Sequence, residues 1–160
     1  MEYLLFKWVH VLSSTVLFGT GIGSAFYLLV STLSRDLPLV AGVTRWVVRA
    51  DWLFTGTTAV LQPLTGLWML HLTGMPLSTP WVRWSLLLYA LAIGCWLPVV
   101  WLQMRLRDIA ADALARNISL PPAYWRHFWA WVALGMPALL AFLAIFWLMI
   151  AKPATLPGLA

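Results

Sequence analysis

Residues 3–33 read YLLFKWVHVLSSTVLFGTGIGSAFYLLVSTL, an almost entirely apolar run that contains one lysine and one histidine. A helix needs about 20 apolar residues to cross the hydrocarbon of a bilayer. The run is therefore long enough to cross it with turns to spare. We interpret it as a membrane-spanning helix that is retained, because no basic segment precedes it and no small-residue cleavage site follows it.

The composition of the whole chain agrees with this interpretation. Of its 160 residues, 62% are hydrophobic and 9% are charged, whereas soluble domains contain about 25% charged residues. The net charge is +5, but the charges cluster at helix ends instead of forming one continuous basic face. Nucleic acid is therefore not an expected partner. The length suits a single domain that is embedded in a lipid bilayer.

Apolar runs and turn residues divide the chain into four predicted spans. We expect an all-α bundle of four transmembrane helices at about 3–33, 50–72, 81–104 and 127–151, which form one domain over residues 1–152. Residues 34–49 are expected to be a loop, since Pro38 and Gly42 interrupt them. The third helix is expected to continue into water beyond residue 104. Residues 153–160 are expected to be a disordered tail.

The distribution of basic residues predicts the orientation in the membrane. Seven of the ten lysines and arginines follow the first and third spans: Arg35, Arg45, Arg49, Arg105, Arg107, Arg116 and Arg126. The excess of basic residues normally faces the cytoplasm. Both termini are therefore predicted to lie outside, in a multi-pass protein of the bacterial inner membrane.

Polar and small residues follow one face of the first span. His10, Ser14, Leu17, Gly21 and Ser24 recur at helical spacing. Small residues on one face let a neighbouring membrane helix approach closely, so His10 is expected on the packed side. An imidazole there needs a partner, because an unpaired polar group in hydrocarbon costs several kcal/mol.

A second polar stripe runs along the second span. Its members are separated by four, three, four and three positions, which is one helical face: Asp51, Thr55, Thr58, Gln62 and Thr65. Pro63 should kink this helix and free a main-chain carbonyl about one turn earlier. Such a stripe most often joins two helices, but polar groups inside a membrane are also candidates for function. A quinone pocket or a proton path along it therefore stays open.

The histidines suggest a metal-dependent cofactor. His10 and His71 are predicted at similar depth near one membrane surface, and two such imidazoles can ligate a haem iron from opposite faces. Lys7, Arg83 and Lys152 fall on the same side, where haem propionates would seek cations. The competing interpretation is that both histidines are hydrogen-bonded structural residues and that the cations are interfacial anchors. His71 is also phased roughly opposite Gln62.

Other chemistries find little support in the sequence. The single cysteine, Cys95, lies within an apolar run, and no CxxCH motif is present, which excludes covalent c-type haem attachment. The sequence contains no Gly-x-Ser-x-Gly, H-E-x-x-H or P-loop motif. Whether the protein is an enzyme is therefore left open; as an enzyme it would be a haem-dependent membrane oxidoreductase.

Two stretches resemble an uncharacterised family of bacterial four-helix integral membrane proteins. They are ADWLFTGTTAVLQPLTGLW, residues 50–68, and CWLPVVWLQMRLRD, residues 95–108. The helix order, the KWVH of residues 7–10 and the fourth helix that contains Pro137 are more distantly similar to the HemJ type of protoporphyrinogen oxidase. The membrane domain of CopD copper-resistance proteins looks similar at the same level.

The HemJ resemblance implies a b-type haem bound through a histidine of the first helix, at the position of His10. The same resemblance argues against protoporphyrinogen oxidation. Arg83 and Ser85 stand where HemJ-type proteins carry a histidine and a lysine, and Leu134 and Gly135 stand where they carry an asparagine and a glutamate.

Two function hypotheses follow from these patterns. The first is a haem b protein of the inner membrane that takes part in electron transfer, with His10 and His71 as iron ligands. Its expected partners are the lipid bilayer, a quinone or another membrane redox protein, and a second copy of the chain. The alternative is a small transporter without a redox centre, or a structural subunit of a membrane complex, that uses the polar stripe of the second span.

Overall fold

The structure, a computed structural model, describes residues 1–153, and helices joined by short turns make up that range, without a strand. This confirms the predicted all-α class. The helices are α1 (Glu2–Ser34), α2 (Leu37–Ala50), a π-helical segment (Asp51–Thr55), α3 (Gly56–Thr73), α4 (Pro80–Ala115) and α5 (Pro122–Ala151). Except for Pro153, the tail predicted to be disordered lies outside the described residues.

Helices α1, α4 and α5 are each long and apolar enough to cross a membrane. The fourth span is formed by the π-helical segment together with α3, which run on from α2 without a break. As predicted, α4 continues well beyond residue 104, to Ala115.

The loop predicted at residues 34–49 is wrong, because most of this segment is helix α2. The turn shrinks to Arg35 and Asp36, where Arg35 adopts the left-handed conformation with φ 58°. Oδ1 of Asp36 then accepts a hydrogen bond from the main-chain N–H of Leu39 over 3.3 Å and caps the new helix. Pro38 lies in the first turn, where a missing N–H costs nothing, so it starts a helix here instead of ending one.

The π-helical segment marks the point at which α2 passes into α3. The main-chain N–H of Gly56 bonds to the carbonyl of Asp51, five residues earlier. Such a widened turn occurs often at functional sites. It buries the side chains of both Asp51 and Thr55 inside the bundle.

The helices pack as two pairs, α1 with α3 and α4 with α5, and α2 joins the pairs by packing against α4. We call the end of the bundle that contains α2 and the α4–α5 turn the basic end, because the seven arginines named above lie near it. The opposite end, where α1 begins and α5 finishes, is the terminal end. The start of α1 and the end of α5 therefore lie on one side of the bundle.

The apolar core is concentrated towards the basic end. It is built from buried side chains of every helix except α3: Leu28, Val40, Val47, Val99, Leu102, Leu106, Ala110, Tyr124, Phe128 and Trp131. The hydroxyls of Thr32 and Tyr124, both fully buried, share a hydrogen bond of 2.9 Å there. Beside this core and beyond it, cavities lie between the two helix pairs.

Candidate functional site

Two cavities lie between the α1–α3 pair and the α4–α5 pair. The first, the histidine cavity, has a volume of about 480 Å³ and opens towards the terminal end; Lys7, His10, Gln62, Tyr89 and Lys152 are among its lining residues. The second, the aspartate cavity, has a volume of about 370 Å³ and lies nearer the basic end; Asp51 and Gln103 are among its lining residues. The rest of both linings is mostly apolar.

His10 is oriented by the second span. Its Nδ1 lies 2.7 Å from the hydroxyl oxygen of Thr65. The hydroxyl of Thr65 donates to the main-chain carbonyl of Leu61, also over 2.7 Å. With the hydroxyl proton assigned to the Leu61 carbonyl, the bond to His10 is donated by Nδ1–H, and the neutral ring then has an unprotonated Nε2 with a free lone pair. Within residues 1–153 no protein group is hydrogen-bonded to this Nε2.

Gln62 locks α1 and α3 in register beside the histidine. Its side-chain amide donates to the main-chain carbonyl of His10 over 2.9 Å and to the hydroxyl of Ser13 over 2.6 Å. Ser13, which is buried, therefore occupies the packed face of α1. Ser14, which the sequence predicts on the face of His10, lines the histidine cavity with it and donates to the carbonyl of Val11 on its own helix.

Gly66 provides the space in which the imidazole lies. A Cβ atom built on Gly66 would be 3.4 Å from Cε1 of His10, which is ordinary van der Waals contact, whereas a larger side chain would meet the ring. The ring is thus held between Thr65 on one side and the bare backbone of Gly66 on another.

The structure brings together some of the predicted haem-binding residues and separates others. Lys7 and Lys152 line the histidine cavity with His10, and the Lys152 ammonium lies 5.6 Å from the ring centroid of Trp81. Arg83 is exposed and does not line this cavity.

His71 does not share the cavity of His10. Its side chain is exposed, and its ring lies against Trp68 with 5.6 Å between centroids. The prediction that His10 and His71 ligate one iron from opposite faces is therefore not supported by the geometry, because His71 lies on the other face of α3, as its phase relative to Gln62 had indicated. His127, at the basic end, bonds through Nδ1 to the carbonyl of Ala123.

The polar stripe of the second span faces α1 and the two cavities. Asp51 accepts hydrogen bonds from Ser24 on α1 at 3.5 Å and from Thr55 at 3.1 Å. Thr58 bonds to its own helix at the carbonyl of Phe54, while Gln62 and Thr65 bond to α1 as described. These contacts are the ones expected of residues that hold two membrane helices together.

A layer of aromatic side chains separates the two cavities. Phe18 and Phe146 meet edge to face with 5.0 Å between ring centroids, and Tyr89 meets Phe142 in the same geometry at 6.4 Å. The Tyr89 hydroxyl donates to the main-chain carbonyl of Ala59. The histidine cavity lies on the terminal side of this layer and the aspartate cavity on the basic side.

Tyr89 is a site residue that the sequence did not reveal. Pro63 has no N–H, so the carbonyl four residues earlier, that of Ala59, loses its helical partner. The sequence predicts this free carbonyl. The donor comes from α4, however, and no local pattern identifies which residue of another helix supplies it.

A bare metal ion has no site among the described residues, since no group of three or more histidine, cysteine, aspartate or glutamate side chains converges within residues 1–153. A macrocycle that brings four of its own ligands requires only one or two from the protein. The single free imidazole nitrogen of His10 can therefore serve a metal ion that is already held in a macrocycle, but it is too few ligands for a bare metal ion.

Comparison with known families agrees with the membrane fold. A family model described as "Predicted integral membrane protein (DUF2269)" matches residues 4–153, so the chain belongs to this family. The expected membership of a family of integral membrane proteins is thereby confirmed. No curated protein and no solved structure matches the chain.

Proposed function

We propose that this integral membrane protein binds b-type haem in the histidine cavity, with His10 as an axial ligand, and takes part in membrane redox chemistry. The observation that carries the proposal is the orientation of His10. Its Nδ1–H is engaged by Thr65, and its Nε2 has a free lone pair. Iron-ligating histidines almost always donate their second ring N–H to a fixed acceptor in this way.

The size and chemistry of the cavity also support haem. A volume of about 480 Å³ lies within the range of roughly 300 to 1,000 Å³ that is usual for cofactor sites. The lining is apolar apart from a few groups, as a macrocycle requires. Lys7 and Lys152 lie in the lining at the terminal end and would pair with the two propionates through charge-assisted hydrogen bonds.

Bound haem would supply one-electron redox chemistry. The residues of the chain would hold and tune it. Thr65 fixes the ring plane and basicity of His10, Gln62 fixes the backbone that carries it, and the aromatic layer closes the cavity on its inner side. Protoporphyrinogen oxidation is not part of the proposal. The histidine, lysine, asparagine and glutamate of HemJ-type proteins are replaced in this chain by Arg83, Ser85, Leu134 and Gly135.

The proposed location is the inner membrane of a bacterium, with both termini outside. The support is the charge distribution: the basic end carries seven arginines, and a basic excess faces the cytoplasm. The histidine cavity would then open towards the periplasmic side.

The proposal is tested by the absorption spectrum of protein purified in detergent and titrated with haemin, before and after reduction with dithionite. The wild type should show a Soret band that shifts on reduction. His10→Ala should abolish saturable haem binding. His71→Ala is the matched control and should leave the spectrum and the stoichiometry unchanged, because His71 lies outside the cavity.

Two results would refute the proposal. One is a folded wild-type protein that binds no haemin. The other is a His10→Ala variant that elutes as the wild type does and retains the same haem content and spectrum. Size-exclusion elution and helical circular dichroism of each variant distinguish a lost ligand from a lost fold.

A further inference from the structure

The far wall of the histidine cavity is formed by α4 and α5, across from the helix pair that carries His10. Its lining includes Tyr89 on α4 and Met149 on α5. Because His71 lies outside this cavity, it leaves the second axial position of the proposed haem without a ligand. A residue that fills this position must come from the wall opposite His10.

The aromatic layer gives the level of Met149 within the bundle. Tyr89 donates to the carbonyl of Ala59 on α3 and meets the ring of Phe142 on α5, so these three residues share one level. Helices α3 and α5 both run towards the terminal end. Seven further residues, about 10 Å of helix, lead along α3 to Gly66 and along α5 to Met149. Gly66 and Met149 therefore lie at similar levels.

The imidazole of His10 shares this level, because its Cε1 atom lies 3.4 Å from a Cβ atom built on Gly66. A step of seven residues also returns to the same face of a helix. Met149 thus faces the same way as Phe142, towards the interior of the bundle, and it lines the cavity together with His10. A ring nitrogen on one wall and a sulfur on the other belong to one level of one cavity.

We propose that the thioether sulfur of Met149 is the second axial ligand of the haem, on the face opposite His10. The inference rests on the proposed function, since it assigns the other ligand of the same iron. Thioether sulfur is a soft metal ligand, and a histidine–methionine pair is one of the axial sets that proteins use for haem. The methionine side chain has three rotatable bonds, so its sulfur can adjust its position without a movement of α5.

This ligand pair narrows the redox role of the site. Two protein ligands leave the haem iron without an open position for oxygen or another small molecule. A methionine ligand also raises the reduction potential of haem. The site would therefore pass single electrons and would not activate a bound substrate.

Other groups on the same wall are worse placed to bind iron. The hydroxyl of Ser85 donates to the carbonyl of Trp81 over 2.7 Å, and that of Tyr89 donates to α3 as described. Lys152 follows the last residue of α5 and lies against the ring of Trp81, 5.6 Å from its centroid. Its level suits a propionate at the mouth of the cavity better than the iron.

The test uses protein that is purified in detergent and loaded with haemin, and it records absorption and electron paramagnetic resonance spectra. The ferric wild type should be low-spin and show the weak far-red charge-transfer band of an iron–thioether bond. Met149→Leu conserves the volume of the side chain. It should keep one haem per chain through His10, become high-spin, lose this band, and bind carbon monoxide in its ferrous form.

Two further variants sharpen the test. Met69→Leu is the matched control, because Met69 lines the same cavity but lies on α3, three residues from Gly66 and on the wall of His10. Its spectra should equal those of the wild type. Met149→His offers a second imidazole and should stay low-spin, lose the charge-transfer band, and have a lower reduction potential than the wild type.

The assignment of Met149 is overturned if the haem-loaded wild type lacks the thioether band, or if Met149→Leu binds haem with the spectra of the wild type. Neither result affects the haem proposal, which the His10→Ala variant tests separately. A wild type that binds no haemin refutes both proposals. If Met149→Leu does not elute as a folded protein, Met149→His decides, and an unchanged thioether band in that variant overturns the assignment.

Discussion

Nδ1 of His10 and the hydroxyl oxygen of Thr65 lie 2.7 Å apart, across the contact between the first and second spans. Because Thr65 is itself committed to the carbonyl of Leu61, this one contact fixes both the orientation and the tautomer of the imidazole. The residue that presents the free ring nitrogen to the cavity is therefore controlled from the neighbouring helix. Changes on that helix should therefore alter the binding of haem, if the proposed function holds.

The first prediction concerns the hydroxyl of Thr65. Thr65→Val keeps the shape of the side chain but removes the acceptor for Nδ1–H, so the ring can rotate or exchange its tautomer. We expect haem affinity to fall by about 10- to 100-fold, as is usual when the partner of a ligating histidine is lost. Haemin titration followed at the Soret band measures the effect. Thr65→Ser retains the hydroxyl and should bind haem nearly as the wild type does; equal affinities for the serine and valine variants would contradict the prediction.

A second prediction uses the space beside the histidine. Gly66→Val places branched methyl groups against Cε1 of His10, where a Cβ atom alone would already lie at 3.4 Å. The ring should be displaced and haem binding lost, although every proposed ligand is still present. Gly19→Val is the matched control on α1, because a Cβ atom there meets nothing within 4 Å. The absorption spectrum and haem content of both variants are compared, and a normal spectrum for Gly66→Val would count against the assigned ring position.

The polar pattern of the second span illustrates what sequence alone can predict. Residues spaced by four and three positions from Asp51 to Thr65 must share a helix face, and in the structure that face contacts α1. His10 was likewise expected to lie on the packed side of α1 and does so, against Thr65 and Gly66. Periodicity gives these results because it depends on helix geometry and not on which helices become neighbours.

Errors arose where a local signal has two meanings. Pro38 was interpreted as a breaker, but it occupies the first turn of α2, where proline is favourable. His71 was predicted at the same depth as His10, with a phase roughly opposite Gln62. Depth along a helix does not determine direction around it, and the side chain faces away from the cavity. The partner of the orphaned Ala59 carbonyl and the Ser24 partner of Asp51 come from other helices, so their identity required the tertiary structure.

A third prediction tests the proposed orientation in the membrane. In a Cys95→Ala background, Ser78→Cys places a thiol in the turn between α3 and α4, and Asn117→Cys places one in the turn between α4 and α5. The membrane-impermeant maleimide should label Ser78→Cys in intact cells and Asn117→Cys only after permeabilisation. The reverse pattern would invert the topology, and the buried Cys95 of the unsubstituted chain gives the background labelling.

The fourth prediction concerns the hydrogen bond from Tyr89 to the Ala59 carbonyl. Tyr89 belongs to the aromatic layer that lies between the two cavities. Tyr89→Phe leaves this carbonyl unpaired inside the bundle, since Pro63 offers it no N–H, and should lower the free energy of unfolding by about 1–3 kcal/mol. Pro63→Ala restores an N–H one turn later. In that background the carbonyl has a helical partner, so Tyr89→Phe should cost at least about 1 kcal/mol less.

This double-mutant cycle compares the free energies of unfolding of the wild type, the two single variants and the double variant. Unfolding is followed in mixed detergent micelles by the loss of helical circular dichroism. A positive coupling shows that the tyrosine compensates for the proline, which explains how a proline is tolerated in the middle of a membrane helix. Equal costs of Tyr89→Phe in both backgrounds would mean that the hydroxyl contributes nothing to the carbonyl. The aromatic layer would then be held by ring packing alone, between Tyr89 and Phe142 and between Phe18 and Phe146.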